Sequence, residues 1–316
     1  MPDRIQLSAK VGAEYIRERL DAAAADLFPQ HSRSTLQAWI RSGDLRIDGR
    51  KVKASQKLRG GEKLEIDAQL DSVELEPESM ALDVRYEDAD ILVLNKPAGL
   101  VVHPGAGNRT GTLLNGLLAH DPSLSTLPRG GIVHRLDKDT TGLMVVARSS
   151  VSYLALVNAL SERRVSRIYE AVVHDAPGDT SLKDEGTVEA PVGRHPVHRT
   201  RMAVVTQGKH AISHYRVLQR FDEFSHVRVS LETGRTHQIR VHMQHLGHPL
   251  VGDPVYGKRT RHREELPVLG AFSRQALHAA SLSLAHPSTG KALAFRQPLP
   301  DDMVALLEEL NDYAFP

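Results

Sequence analysis

Three stretches of the chain gather titratable residues among glycines and at the ends of strand-like runs, where a backbone can come close to a ligand. In GGIVHRLDKDTTGLMVVAR, residues 130–148, His134, Arg135, Asp137, Lys138 and Asp139 crowd into a turn ahead of an apolar strand. A carboxylate beside two cations and a histidine stays ionised at neutral pH, which suits a nucleophile or a base better than a general acid. Residue types alone leave Asp137 and Asp139 as equal candidates, and a surface turn laced with weak ion pairs is the plain alternative. In LETGRTHQIRVHMQHLGHPLVGDPVYG, residues 231–257, Thr236 reads as the cap of a helix ended by Gly247, with Ile239, Met243 and Leu246 on its buried stripe. Arg235 and Arg240 then bring two guanidiniums to the helix start. His237, His242, His245 and His248 invite a metal. Yet there is no HExxH pair, no cysteine, and no Asp or Glu between Glu232 and Asp253, so no metal is expected. Packing groups or phosphate donors fit those histidines better. The third stretch, ILVLNKPAGLVVHPGAGNRTGT at 91–112, runs from a strand through Asn95 and Lys96 into a glycine-rich loop. It has neither a GxxxxGK[ST] phosphate loop nor a GxGxxG fingerprint, and no nucleotide cofactor is expected.

The elements that must position these residues belong to a chain of 316 residues, long enough for two domains. Lys and Arg total 40 against 39 Asp and Glu, so any basic surface is local. Without cysteine there is no disulfide framework, zinc ribbon or thiol nucleophile. Apolar runs are strand-sized, far short of the roughly 20 residues of a membrane span. The N-terminus shows no apolar signal core, so a cytoplasmic protein is expected.

Charge divides the chain. From Arg41 to Lys63 eight basic residues face three acidic ones, and from Asp71 to Asp90 eight acids face Arg85 alone. This predicts a module over 14–70, an acidic linker over 71–85 and a larger domain over 86–316. In the module, Ile16, Leu20, Ala24 and Leu27 form a helical stripe; after Pro29, Ser32 or Ser34 caps a second helix carrying Leu36, Trp39 and Ile40, ended by Gly43. Leu45 and Ile47, an Asp48-Gly49 turn, and Leu64 with Ile66 make a small sheet. In the larger domain, strands are predicted at 91–94, 142–147, 169–173, 226–231 and 277–284, and helices at 112–119, 150–163 and 302–310. They do not alternate regularly, so the fold class is α+β.

Taken together, LNKPAGLVVHPG, HRLDKDTTGLMVVA, RIYEAVV and ETGRTHQIRVHMQHLGHPLVGDPVYG resemble, in order and spacing over about 86–300, the RluA/RluD family of pseudouridine synthases. RLDAAAADLFPQHSRSTLQAWIRSGDLRIDGRKVKAS resembles an S4 RNA-binding domain. The resemblance implies a catalytic domain with a central, mostly antiparallel mixed sheet flanked by helices and loops. It implies isomerisation of uridine without a cofactor, and points to the RluD-type branch, acting on 23S large-subunit ribosomal RNA or its subunit precursor in the helix 69 stem-loop. It selects Asp137 as the catalytic carboxylate, Tyr169 as the active-site tyrosine and Arg240 as the partner of Asp137. Arg135 would enter the RNA stack as the uridine leaves, Ile239 would pack on the uracil, and His134 and Arg235 would line the substrate. Arg33, Arg41, Arg50, Lys51 and Lys53 would contact RNA from the S4-like module. Members usually carry Lys two residues before the tyrosine, where this chain has Arg167.

That chemistry suits the residues present. Moving C1′ of ribose from N1 to C5 of uracil needs no redox change; it calls for an ionised carboxylate, as nucleophile at C1′ or as base at C2′. A monomer is expected, without membrane or DNA partners. The rival readings are the same chemistry on tRNA or several RNAs, a non-catalytic ribosome assembly factor, and a metal-dependent nuclease using the histidines.

Overall fold

The computed structural model describes residues 4–28, 31, 33–69, 76–105, 108–175, 178, 180–198, 200–258 and 265–315. The chain divides into two compact units, Met1–Leu75 and Glu76–Pro316.

The first unit contains β1 (Arg4–Lys10), α1 (Leu20–Leu27), α2 (Arg33–Ser42), β2 (Leu45–Ile47) and β3 (Lys63–Gln69). Its antiparallel sheet has the order β1-β3-β2. Every second residue of β2 and β3, namely Leu45, Ile47, Leu64, Ile66 and Ala68, is buried with Leu20, Ala24, Leu36, Trp39 and Ile40 of the two helices. This is the period-two face of a strand meeting the apolar stripe of a helix. Asp48 (φ 46) and Gly49 (φ 73) take the positive-φ pair that a tight reversal requires. Three expectations change here. β1 extends the unit upstream of residue 14. Ile16 precedes α1 and is half exposed, because α1 begins only at Leu20. Ser34 lies within α2, and Pro29 and Ser32, like 71–75 of the expected linker, lie outside the described residues.

The second unit runs β4 (Asp83–Glu87), β5 (Ile91–Lys96), α3 (Leu113–His120), β6 (Thr141–Ala147), α4 (Ser150–Ser161), β7 (Ser166–His174) and β8 (Glu185–Glu189). It continues with β9 (Val192–Arg194), β10 (Met202–Val204), β11 (Ile212–Phe221), β12 (Phe224–Leu231), α5 (Gln238–His245), α6 (Pro267–Ala271), β13 (Leu277–Ala285), β14 (Ala292–Arg296) and α7 (Asp301–Ala314). The acidic stretch from 76 to 85 therefore belongs to this unit: Glu78 accepts from the Gly111 amide, its own amide bonds Asn115, and β4 pairs β5. Acidity here marks an exposed edge strand rather than a linker.

The large sheet has the order β4-β5-β6-β13-β7-β12-β11-β8, with β14 also on β13. Among the described residues only β6 and β13 pair in parallel, over His278↔Thr141 and Ala279↔Gly142; the other pairs of this sheet are antiparallel. The architecture is α+β, as expected. β5 and β6 read as unbroken apolar runs because both faces are covered. Leu92, Leu94, Met144 and Val146 join the core with α3 and α5, while Ile91, Val93, Leu143 and Val145 join another with Leu156 of α4. The parallel contact is so close that a Cβ on Gly142 (φ +113) would come within 2.4 Å of the Ala279 carbonyl oxygen. Only glycine fits that seam. No helix among the described residues is long and apolar enough to cross a membrane.

Candidate active site

The loop carrying His134, Arg135, Leu136 and Asp137 leads into β6 at this seam. Several interactions hold it in place. Ile132 bridges Val146, and His134 Nε2 accepts the Val145 amide at 3.1 Å. Lys96, at the end of β5 and fully buried, donates to the carbonyls of Pro97 (2.7 Å), Leu100 (2.9 Å) and Lys138 (2.8 Å). Burial pushes its ammonium down to about 8 despite the nearby charges of Asp139 and Asp137. From the other side, Arg274 grips Asp302 of α7 with two nitrogens and reaches the Asp139 carbonyl with a third. Burial, then the charge of Arg167, push His134 down to about 3, so it is neutral at pH 7, with Nε2 accepting and the ring proton on Nδ1.

Asp137 meets its partner from α5. Arg240, buried, donates from Nη1 to Asp137 Oδ2 at 3.0 Å and from Nε and Nη2 to the two oxygens of Asp253 at 2.7 and 2.9 Å. Burial alone would raise Asp253, but the hydrogen bonds and charge of Arg240 and the Val255 and Tyr256 amides outweigh it and hold the carboxyl below its ordinary range. The same two carboxylates raise Arg240 against burial. The guanidinium also lies over the Tyr256 ring, 5.0 Å from its centre. A residue answering two carboxylates in different directions needs the planar fork of Arg.

Tyr169 stands on β7, buried, between Val229 of β12 and Ala279 of β13. Burial raises its hydroxyl, as does the charge of Asp137, with Arg167 opposing. Arg167, two residues along the same strand face, is buried and its Nε meets no partner. Ile239 is buried in one core cluster with Leu136 and Tyr169.

The structure thus brings Asp137, Arg240, Tyr169 and Ile239 to one place. Arg135 lies exposed beside them, its charge felt by His103 and His237. Arg235 is exposed and donates to the His210 carbonyl at 3.0 Å, turned to a different neighbour than Arg240. Thr236 does not cap α5. His237 holds that position with φ 56, and Gln238 reaches back to accept from the Arg235 amide and the Thr233 hydroxyl. His242 and His248 are buried on the carbonyls of Ala190 and His174 as packing groups, while His245 is exposed.

A family profile described as RNA pseudouridylate synthase matches residues 90–245, and an S4 domain profile matches 18–64. The chain is 51% identical over 317 residues, 98% of each chain, to "Ribosomal large subunit pseudouridine synthase D" of Pseudomonas aeruginosa. It is 47% identical over 320 residues to the protein of the same description from Escherichia coli (strain K12), covering 98% of this chain and 96% of that one. The chain belongs to the RNA pseudouridylate synthase family. Human RNA Pseudouridylate Synthase Domain Containing 4 is a solved structure 25% identical to it, at TM-score 0.56 over 72% of this chain and 92% of that one. The chain is an RNA pseudouridine synthase with an N-terminal S4 domain.

In the S4 unit of the synthase, Arg41, Arg50 and Lys53 are exposed. Arg33 and Lys51 are exposed as well, and each also bonds within the unit. Arg33 donates to the buried Asp21 at 2.9 Å, alongside Arg19 and Gln37, and Lys51 Nζ caps α2 by donating to the Ser42 carbonyl at 3.0 Å. In the catalytic unit, the sequence pointed to no role for Asp253, Tyr256 or Lys96, and only to a packing or phosphate-donor role for His237. Asp253 carried the readable signal: it is the first carboxylate after the arginine-bearing helix and sits in the glycine-flanked GDPVYG turn.

Proposed function

We propose that this synthase isomerises specific uridines of 23S large-subunit ribosomal RNA, in the helix 69 stem-loop, with Asp137 reacting at the ribose. What carries this reading is the single Arg240 contact on Asp137: a carboxylate with one oxygen tied and the other open, beside a buried tyrosine. The 51% and 47% identity to large-subunit pseudouridine synthases supports the substrate, and the motif resemblance supports helix 69.

In this reading the target nucleotide leaves the stack and enters the pocket, with exposed Arg135 filling its place. Tyr169 lies against the base, and Ile239 with Leu136 forms the apolar floor. The free oxygen of Asp137 attacks C1′ and expels uracil as its N1 anion, and C5 of the turned ring then displaces the carboxylate from C1′; or it removes the C2′ proton as uracil leaves and returns it to C2′ as C5 closes onto C1′, with N1 gaining a proton in either route. A base then takes the C5 proton, a task open to Asp137 again. Arg235, and Nδ1 of His134, face the RNA around the pocket. Ribosomal RNA as substrate places the protein in the cytoplasm.

Mapping pseudouridines in total RNA from cells with and without the gene tests the substrate. Loss of helix 69 pseudouridines, restored by the wild-type gene but not by Asp137→Asn, is the expected result. An unchanged 23S map with losses in tRNA would replace the substrate; full restoration by Asp137→Asn would remove the residue.

A further inference from the structure

Two side chains outside this reading, His237 and Tyr256, share one small volume with Asp137. Oδ2 of Asp137 accepts from Arg240, and Nε2 of His237 lies 3.9 Å from Oδ1. His237 Nδ1 lies 2.8 Å from the Tyr256 hydroxyl, whose oxygen already accepts the Met202 amide at 2.8 Å. The Tyr256 proton needs an acceptor, and His237 Nδ1 is the one in reach. A hydrogen bond from that hydroxyl to Nδ1 puts the ring proton on Nε2, aimed at Oδ1. The second-neighbour partner of a histidine fixes its tautomer in this way. The ring is edge-on to Tyr256, and the side chain is mostly buried. His237 also sits at φ 56, in the left-handed region that Gly and Asn enter more easily.

We propose that His237 is a positioning residue: its Nε2–H, set by Tyr256, holds and orients the one oxygen of Asp137 that Arg240 leaves open. The 3.9 Å gap is too long for a hydrogen bond in the free protein and closes with a small shift of either group once the pocket is filled. This rests on Asp137 being the reacting carboxylate. The charges facing the imidazole are Asp137, Asp253, Arg240 and Arg135, with the Tyr256 hydroxyl. Burial holds the ring below its ordinary value, the two arginines add to this and the carboxylates oppose it, so at neutral pH it is an uncharged donor. In acid it becomes a cation whose ion pair with Asp137 ties up Oδ1, and turnover falls.

Two substitutions separate this role from a structural one. Gln places its amide nitrogen near the site of Nε2 and can donate to Asp137, but suits φ 56 poorly. Asn suits that backbone well and reaches only the site of Nδ1. Full-length His237→Gln, His237→Asn, Tyr256→Phe and Asp137→Asn are assayed on an unmodified large-subunit rRNA transcript for kcat, KM and the pH profile of kcat. The expected result is that Asn lowers kcat by about 10- to 100-fold with KM little changed, that Gln retains several times more turnover than Asn, and that its acid limb moves to lower pH. Tyr256→Phe, which keeps the ring under Arg240, lowers kcat without moving KM. If Asn equals or exceeds Gln, or if Tyr256→Phe keeps full kcat and the wild-type acid limb, the proposal is overturned. Turnover in Asp137→Asn would instead overturn the reading beneath it.

Discussion

Arg240 touches Asp137 at one oxygen only, with Nη1 3.0 Å from Oδ2, while the rest of its fork is held by Asp253. The arrangement secures the carboxylate without covering it. Asp137→Asn therefore leaves Arg240 anchored and should fold normally. Turnover should fall by about 10²- to 10⁴-fold or more, since an amide is neither nucleophile nor base. RNA binding by filter retention should stay within about threefold of wild type. A variant with wild-type thermal stability and wild-type pseudouridine yield would be incompatible with this role.

Removing the arginine should do what removing Asp137 does not. Arg240→Ala strips Asp253, whose side chain is fully buried, of both its guanidinium bonds. Breaking such a pair from one side costs about 3–5 kcal/mol. Thermal or urea denaturation should show that loss together with lost turnover. Arg240→Lys keeps a charge but not the fork, and should recover stability only in part. Equal stability of Arg240→Ala and wild type would show that Asp253 is satisfied by its amide donors alone.

Strand and helix positions were legible where periodicity was strong. Leu92 and Leu94 alternate with Ile91 and Val93 across a sheet covered on both sides, and such apolar runs announce themselves. Short strands did not: β8 is polar apart from Val188, and β9 and β10, of three residues each, are too short for a period to emerge. The Asp137–Arg240 pair was legible only through motif resemblance, because its partners lie 103 residues apart, one on the loop before β6 and the other on α5, and no local pattern encodes their meeting. The start of α5 misled for a local reason. Thr236 is a good cap by type, but the Gln238 side chain already satisfies the preceding turn, leaving His237 in the left-handed cap position.

The acid sensitivity of the catalytic unit has a predicted contributor in His134. Burial and Arg167 push it from the ordinary 6.5 to about 3, while the unfolded chain titrates at its usual value. Between about pH 6.5 and 3 the unfolded state binds more protons, so stability falls as pH drops through that window. The fold should lose less stability over that range in His134→Gln, whose amide oxygen can still accept the Val145 amide. Urea denaturation at pH 7 and pH 5 measures this. An identical pH slope in the two proteins would count against it.

Asp88, Asp90 and His286 lie close enough to suggest a metal site. The histidine is already committed: Nδ1 accepts the Ser288 and Thr289 amides, so Nε2 carries the proton donated to Asp88 at 2.9 Å. A protonated nitrogen has no lone pair for a cation. Prolonged EDTA treatment should leave turnover unchanged, and elemental analysis should find no stoichiometric zinc. Activity lost to chelation and restored by zinc would revive a metal role.

The S4 unit separates its basic residues into two kinds, and full-length variants should tell them apart. Arg41, Arg50 and Lys53 are exposed, so replacing them with Gln should leave stability within about 0.5 kcal/mol of wild type. If they meet phosphates, rRNA affinity should fall and the salt slope of log K should become shallower by roughly 0.7 to 0.9 for each contact removed. Turnover at saturating RNA should change less than affinity, because these side chains belong to a unit separate from the one that carries Asp137. Arg33→Gln should behave in the opposite sense. It removes one of three partners from Asp21, a carboxyl that Arg19, Arg33 and Gln37 together hold below its ordinary range against burial. That stability is present above the unfolded carboxyl value and is lost as pH falls, so the variant should be less stable at neutral pH and should lose less of its remaining stability in acid. Its salt slope should be close to wild type. A triple variant with unchanged affinity and slope would make the exposed cations a solvated face, and an Arg33→Gln protein with unchanged stability would free that guanidinium to meet RNA.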